Sequence, residues 1–139
     1  TEDLPKGIRE TLQKHRIDEE KKEYQEMVRR GEEAAKLSEE LTASFEENKN
    51  LSAEDSKKLL KLEKLVKKIR DDLGGQDDDE NDGKDAPLTL TKALNAVREN
   101  AASLLSALKK STRLTISTVA IESSNTVLKL VKFIRFYKN

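Results

Sequence analysis

The sequence predicts an all-α protein: an antiparallel helical hairpin followed by a long, bent third helix, together an elongated three-helix bundle. Three observations carry this. Apolar residues recur at steps of three and four along most of the chain. Strong breakers are Pro5 and Gly7 in the N-terminal arm and, beyond it, Asn48-Lys49-Asn50 and the stretch from Gly74-Gly75 to Pro87. Apolar residues make up only 35% against 39% charged, which suits long helices that each bury one stripe better than a rounded core. The 139 residues fit one domain: a polar arm over 1–16, then a helical domain over 17–139 with an acidic, mobile loop at 74–86.

Thr1–Arg16 is polar and contains Pro5, Gly7 and His15, the single histidine. Ile17–Asn48 reads as the first long helix. Its stripe runs through Ile17, Tyr24, Met27, Val28, Ala34, Ala35, Leu37, Leu41 and Phe45. Gly31 falls on or beside that stripe and costs about 1 kcal/mol relative to Ala, unless another helix comes close there. Asp18→Lys22, Glu26→Arg30 and Glu32→Lys36 are favourably ordered pairs on a solvated face.

Ser52 offers an N-cap, and Glu54 and Asp55 place negative charge in the first turn of a second helix over 53–73. Leu59, Leu62, Val66, Ile69 and Leu73 form the clearest heptad-like row in the chain, and Leu60 and Leu65 widen it. The short connection at Asn48–Leu51 makes the first two helices an antiparallel hairpin. Pro87 opens the third helix. Leu90, Leu94, Val97, Ala101, Leu104 and Leu108 carry it to about Lys110. Beyond lies a Ser- and Thr-rich stretch that reads two ways. One is a β-hairpin turning at Ser123–Asn125. The preferred reading is helix, with a bend near Ser111-Thr112, because no Gly or Pro interrupts Leu88–Asn139.

The balance of 27 basic and 27 acidic residues conceals a division: net −2 over 1–73, −5 over 74–86 and +7 over 87–139. The acidic loop, QDDDENDGKDA, begins like a calcium-binding loop at Asp78–Gly83. It has Thr89 where the closing bidentate carboxylate belongs. No metal site is assigned. Lys57, Lys61, Lys64 and Lys68 form a basic row that could follow phosphates or face acids of the first helix. The row lacks interleaved aromatics, so nucleic acid ranks as a third choice of partner. The absence of Cys excludes disulfides and thiol chemistry. One His in a polar arm, and no phosphate loop or zinc-protease motif, leave no catalytic residue, no cofactor and no small-molecule substrate to name.

The functional expectation is therefore a non-enzymatic structural or interaction protein. Its packing and assembly residues would be Leu59, Leu62, Val66, Ile69, Leu94, Val97, Leu104 and Leu108, with self-association through these stripes or a protein partner as its expected contacts. The alternative is a membrane-surface protein. The C-terminal run VLKLVKFIRFYKN places Phe133, Phe136 and Tyr137 beside Lys129, Lys132 and Arg135, a basic amphipathic pattern suited to a lipid interface or a partner's groove.

The run from Lys61 to Gly74 (KLEKLVKKIRDDLG), followed by the Ser/Thr-rich Arg113–Lys132, resembles small uncharacterised bacterial helical proteins made with an export signal. The resemblance covers the latter two-thirds of the chain and implies no activity. With a first residue that is not Met, it implies a removed leader and an extracytoplasmic, periplasmic or secreted, place.

Overall fold

The computed structural model describes residues 5–77, 89–111 and 117–138. They form four helices: α1 (Lys6–Asn48), α2 (Ala53–Asp72), α3 (Leu90–Lys110) and α4 (Thr118–Lys138). The all-α class stands, and no strand occurs among the described residues. The three-helix count does not: the expected long third element is two helices.

α1 starts at Lys6, eleven residues before Ile17. Pro5 is not a breaker here but the residue before the first turn. Its carbonyl accepts from the Ile8 and Arg9 N–H groups, and proline is tolerated where no N–H is needed. Extending an existing helix costs far less than nucleating one, and His15–Glu19 at 3.3 Å adds an i,i+4 pair. Residues 6–19 are exposed on every side. The other end of α1 is where expected. Lys49 turns left-handed at φ 60° and its N–H donates to the Phe45 carbonyl.

α2 begins in a reciprocal cap. The Ser52 hydroxyl accepts from the Asp55 N–H at 3.1 Å, and the Asp55 carboxylate accepts from the Ser52 N–H at 2.9 Å. Ser44 of α1 donates to the same carboxylate at 2.7 Å, so the cap also ties the hairpin across its turn. Asp55 is only 3% exposed. Burial pushes its carboxyl up, but the hydrogen bonds from Ser52 and Ser44 outweigh this and hold it below the ordinary aspartate range. Ion pairs between Arg30 and Asp72, Glu40 and Lys58, and Glu33 and Lys61 line the same seam in antiparallel order.

α3 is capped by Thr89, whose hydroxyl accepts from the Lys92 N–H at 3.1 Å. It ends at Lys110, next to the expected bend. There the Tyr24 hydroxyl reaches the Leu108 and Ser111 carbonyls at 2.8 and 2.9 Å. A helix end otherwise leaves such carbonyls unmatched. The chain is helical again from Thr118, where the Ser117 hydroxyl accepts from the Ala120 N–H at 3.1 Å. The β-hairpin alternative fails over Thr118–Tyr137, and the rest of its first strand lies outside the described residues. Its Ser and Thr side chains find partners inside the helix. Ser124 donates to the Ala120 carbonyl at 2.8 Å and Thr126 to the Glu122 carbonyl at 3.0 Å.

α1 packs on α2 and α3, and α4 packs on the same two, so α1 and α4 stand diagonally opposed, as do α2 and α3. Tyr24 beside Leu108 and Thr42 beside Leu94 make α1 and α3 antiparallel. Glu63 beside Arg135 and Arg70 beside Asn125 do the same for α2 and α4. α2 and α3 therefore run the same way. Seventeen residues separate Asp72 from Leu90, and these two helix ends lie at opposite ends of the bundle, about 30 Å apart along its axis for helices of this length. Seventeen residues reach about 56–61 Å when extended, so the connection is long enough.

The core lies on the bundle axis. Leu41, Leu59, Leu62, Val66, Ile69, Leu94, Val97, Leu104, Leu108, Val127, Val131 and Ile134 are each under 2% exposed. At Gly31 a Cβ would sit 2.9 Å from Leu108 Cδ1 and 3.4 Å from Leu105 Cδ1, so the missing side chain admits α3. Small residues also line the core side of α3 and α4: Ala93, Ala101, Ala120, Ser123 and Ser124 are all buried.

Two predictions follow from this packing. Truncating Leu62 to Ala should cost about 2–5 kcal/mol, and Leu62→Asp or Val97→Asp should abolish cooperative melting, as read by circular dichroism. Asp55→Ala should cost about 1–2 kcal/mol at neutral pH. Because the folded carboxyl titrates lower than the unfolded one, the part owed to its charge is complete at neutral pH. It fades as the pH falls through and below the ordinary aspartate range. The stability gap between the natural protein and Asp55→Asn, from denaturant titrations at pH 7 and pH 3, should shrink accordingly.

Candidate functional site

The eight residues expected to serve in packing or assembly are all inside the bundle. Leu59, Leu62, Val66, Ile69, Leu94, Val97, Leu104 and Leu108 are 0–1% exposed. They hold the four helices of one chain together, which is the packing part of the packing or assembly role expected of them. The stripes that looked available in separate helices face one another once the chain folds.

The lysine row is also divided. Lys61 turns to Glu33 on α1 at 2.6 Å, Lys68 to Asp72 at 3.0 Å, and Lys57 to Glu54 at 3.6 Å. Only Lys64 of the four is left without an ion pair among the described residues. A continuous phosphate-tracking row is therefore absent. The groove between α1 and α2, lined by Glu23, Glu26, Met27, Arg30, Lys68 and Asp72, is occupied by mutually paired charges: Arg30 meets both Glu26 and Asp72.

The C-terminal residues remain at the surface. Phe136 is 85% exposed and Tyr137 56%. Lys132 is exposed, while Lys129 and Phe133 are half-buried. Arg135 is exposed but committed, binding both oxygens of Glu63 on α2 at 2.9 and 3.0 Å. The Phe133 and Tyr137 rings lie 5.7 Å apart, close enough to stack in a tilted pair. Val127, Leu130, Val131 and Ile134 turn inward on the same helix. One helix thus supplies a core face and, on the opposite side, an aromatic and basic face. Other exposed large apolar side chains among the described residues are Ile8, Leu12 and Ile17 on α1, Leu60 on α2 and Val119 on α4.

A second polar cluster was not anticipated. Arg70 of α2 is 4% exposed. Its guanidinium binds Asp77, Asp71 and, at 3.4 Å, Asn125 of α4. Asn125 in turn donates to the Gln76 carbonyl at 3.0 Å. Gly74 turns the chain at φ +82°, and Gly75 has no room for a Cβ: it would meet Ile121 at 2.8 Å and Arg70 at 3.0 Å. The cluster pins the end of α2 and the start of the crossover to α4. Its groups satisfy each other.

Among the described residues no group of three acidic or histidine side chains could hold a metal, and no helix is long and apolar enough to cross a membrane. The calcium-loop resemblance at Asp78–Gly83 lies outside the described residues, and Thr89 serves as the α3 cap. No protein-family model matches the sequence, and searches of curated proteins and solved structures find no match.

Arg70→Ala should lower stability by about 2 kcal/mol, since it removes charged hydrogen bonds that join two helices. Asp77→Ala, at a side chain 71% exposed, should stay within about 0.5 kcal/mol. Equal losses in urea titrations would show that Arg70 acts only through Asp77.

Proposed function

We propose that the protein is a non-enzymatic helical interaction module whose contact surface is the outer face of α4 near its C-terminus. The observation that supports this is the exposure of Phe136, at 85%, beside Tyr137 and Lys132, on a helix whose Val127, Leu130, Val131 and Ile134 are buried. Scattered apolar surface residues are ordinary. A projecting phenylalanine with neighbouring cations and a second ring is the composition favoured where a partner is met. Leu128 and Phe133 pack against the core from the half-buried margin and brace the helix beneath that face.

Phe136→Ser should leave the melting temperature unchanged within about 2 °C, because the ring buries little. The same position should be a contact in the cell. A photo-crosslinking phenylalanine analogue at 136 should give light-dependent adducts, to protein or lipid, that the analogue at Glu46 does not. A large loss of stability in Phe136→Ser, or equal adduct yields at 136 and 46, would remove this reading.

A further inference from the structure

We infer that the α2/α4 face of the bundle docks flat on an anionic lipid surface, with Leu60 and Phe136 entering the headgroup region and Lys64, Lys67 and Lys132 meeting lipid phosphates. This rests on the interaction reading above and names its partner.

The argument comes from register. On α2, Leu60 is followed by lysines four and seven residues later, Lys64 and Lys67. On α4, Phe136 is preceded by lysines four and seven residues earlier, Lys132 and Lys129. The two helices are antiparallel, with Glu63 beside Arg135, Arg70 beside Asn125 and Gly75 beside Ile121. The same offset sets Leu60 level with Phe136, Lys64 with Lys132, and Lys67 with Lys129. Two patterns 72 residues apart in sequence, at Glu63 and Arg135, thus become one surface: an apolar rung and two lysine rungs. Leu60, Lys64, Lys67, Lys132 and Phe136 are all exposed, and Lys129 is half-buried. Among the described residues, the acids one turn from Lys67 on α2 are engaged by arginines, Glu63 by Arg135 and Asp71 by Arg70.

Three features select the occupant. The cations here are lysines, point charges suited to many phosphates rather than to one planar group. The apolar rung lies at one end of the cationic rungs, as in segments that bury an apolar edge in the interface while their charges stay at the headgroups. A second copy related by a two-fold axis would set these lysines against themselves, which disfavours self-association through this face.

The test is co-sedimentation of the full chain with sucrose-loaded vesicles. One set is phosphatidylcholine alone; the other contains 40% phosphatidylglycerol as a chosen probe composition. Binding should require the anionic lipid and should fall steeply between 50 and 300 mM salt, both chosen settings. Lys64→Gln and Lys132→Gln should each weaken it about fivefold, the effect of one basic residue near such a surface. Leu60→Ser and Phe136→Ser should weaken it without altering the salt dependence. Lys109→Gln on α3 should have no effect. All five positions are exposed, and unchanged circular-dichroism melts would show the variants folded. No binding to anionic vesicles at low salt, equal binding to neutral ones, or an equal loss in Lys109→Gln overturns the inference. Tighter, lysine-dependent binding to a short DNA duplex, or a lysine-dependent dimer in sedimentation velocity, also overturns it in favour of that occupant. If vesicles fail while crosslinks at position 136 persist, the lipid assignment falls and the interaction reading stands. If both fail, both fall.

Discussion

The structure depends on the burial of one narrow apolar stripe from each of four helices against a common axis. With little more than a third of the residues apolar, no helix can cover two faces with hydrocarbon, so each must spend its stripe inward. The largest fully buried side chains are Leu, Val and Ile. This concentrates hydrophobic area where all four helices share it, and leaves the perimeter to charge. The ion pairs along the α1/α2 seam lie at half-buried to exposed positions and contribute little individually; they fix which helix faces which. Among the described residues no buried side-chain nitrogen or oxygen lacks a partner, so the polar groups that do enter the interior carry no desolvation penalty left unmet.

Close approach of the helices is set by what is missing as much as by what is present. Gly31 lets Leu105 and Leu108 of α3 lie against the α1 backbone, and Gly75 lets Ile121 of α4 lie over the end of α2. These two contacts sit at the end of the bundle away from the Asn48 turn. Arg70 is in the same region, where its buried guanidinium gathers groups from the crossover and from α4. The opposite end is closed by the Ser52–Asp55 cap and its link to Ser44. Each hairpin is thus anchored at its termini by hydrogen bonds and along its length by hydrocarbon.

The hairpin of α1 and α2 was readable from the sequence because its signals are local. Ser52 and Asp55 lie three apart, Asn48 to Asn50 breaks one pattern before the next begins, and Leu59 to Ile69 keep period. Gly31 was readable as a packing site for the same reason. The division of the third element into α3 and α4 was only half legible. The bend site was visible at Ser111, but the Ser- and Thr-rich start of α4 satisfies its hydroxyls by bonding back within the helix, which composition does not reveal. Arg70 was hidden among seven basic residues of α2. Its burial is decided by Gly75 and Asn125, which reach it only through tertiary structure. The lysines of that helix divide likewise: Lys58 and Lys61 face α1 acids, Lys68 pairs with Asp72 of its own helix, and Lys64 and Lys67 remain outside. Leu60, which seemed to widen the core stripe, is 42% exposed because the axis already takes Leu59 and Leu62. The early start of α1 was missed because Pro5 and Gly7 were weighed as breakers, although neither sits where the helix needs an N–H it lacks.

The parallel course of α2 and α3 has a consequence for how the chain reaches this state. Contacts within each hairpin, α1 with α2 and α3 with α4, are local and close quickly, whereas the hairpins join through helix ends, Asp72 and Leu90, that lie at opposite ends of the bundle. Ring closure over such a stretch grows more costly only as the logarithm of its length, so the delay is one of topology rather than of loop entropy. Two half-molecules that form early and meet late expose their apolar sides in the interval. In a crowded solution those sides can find the complementary half of a neighbouring chain. The same connection that permits the fold therefore also permits exchange of halves between molecules, and slow, concentration-dependent refolding is its expected mark.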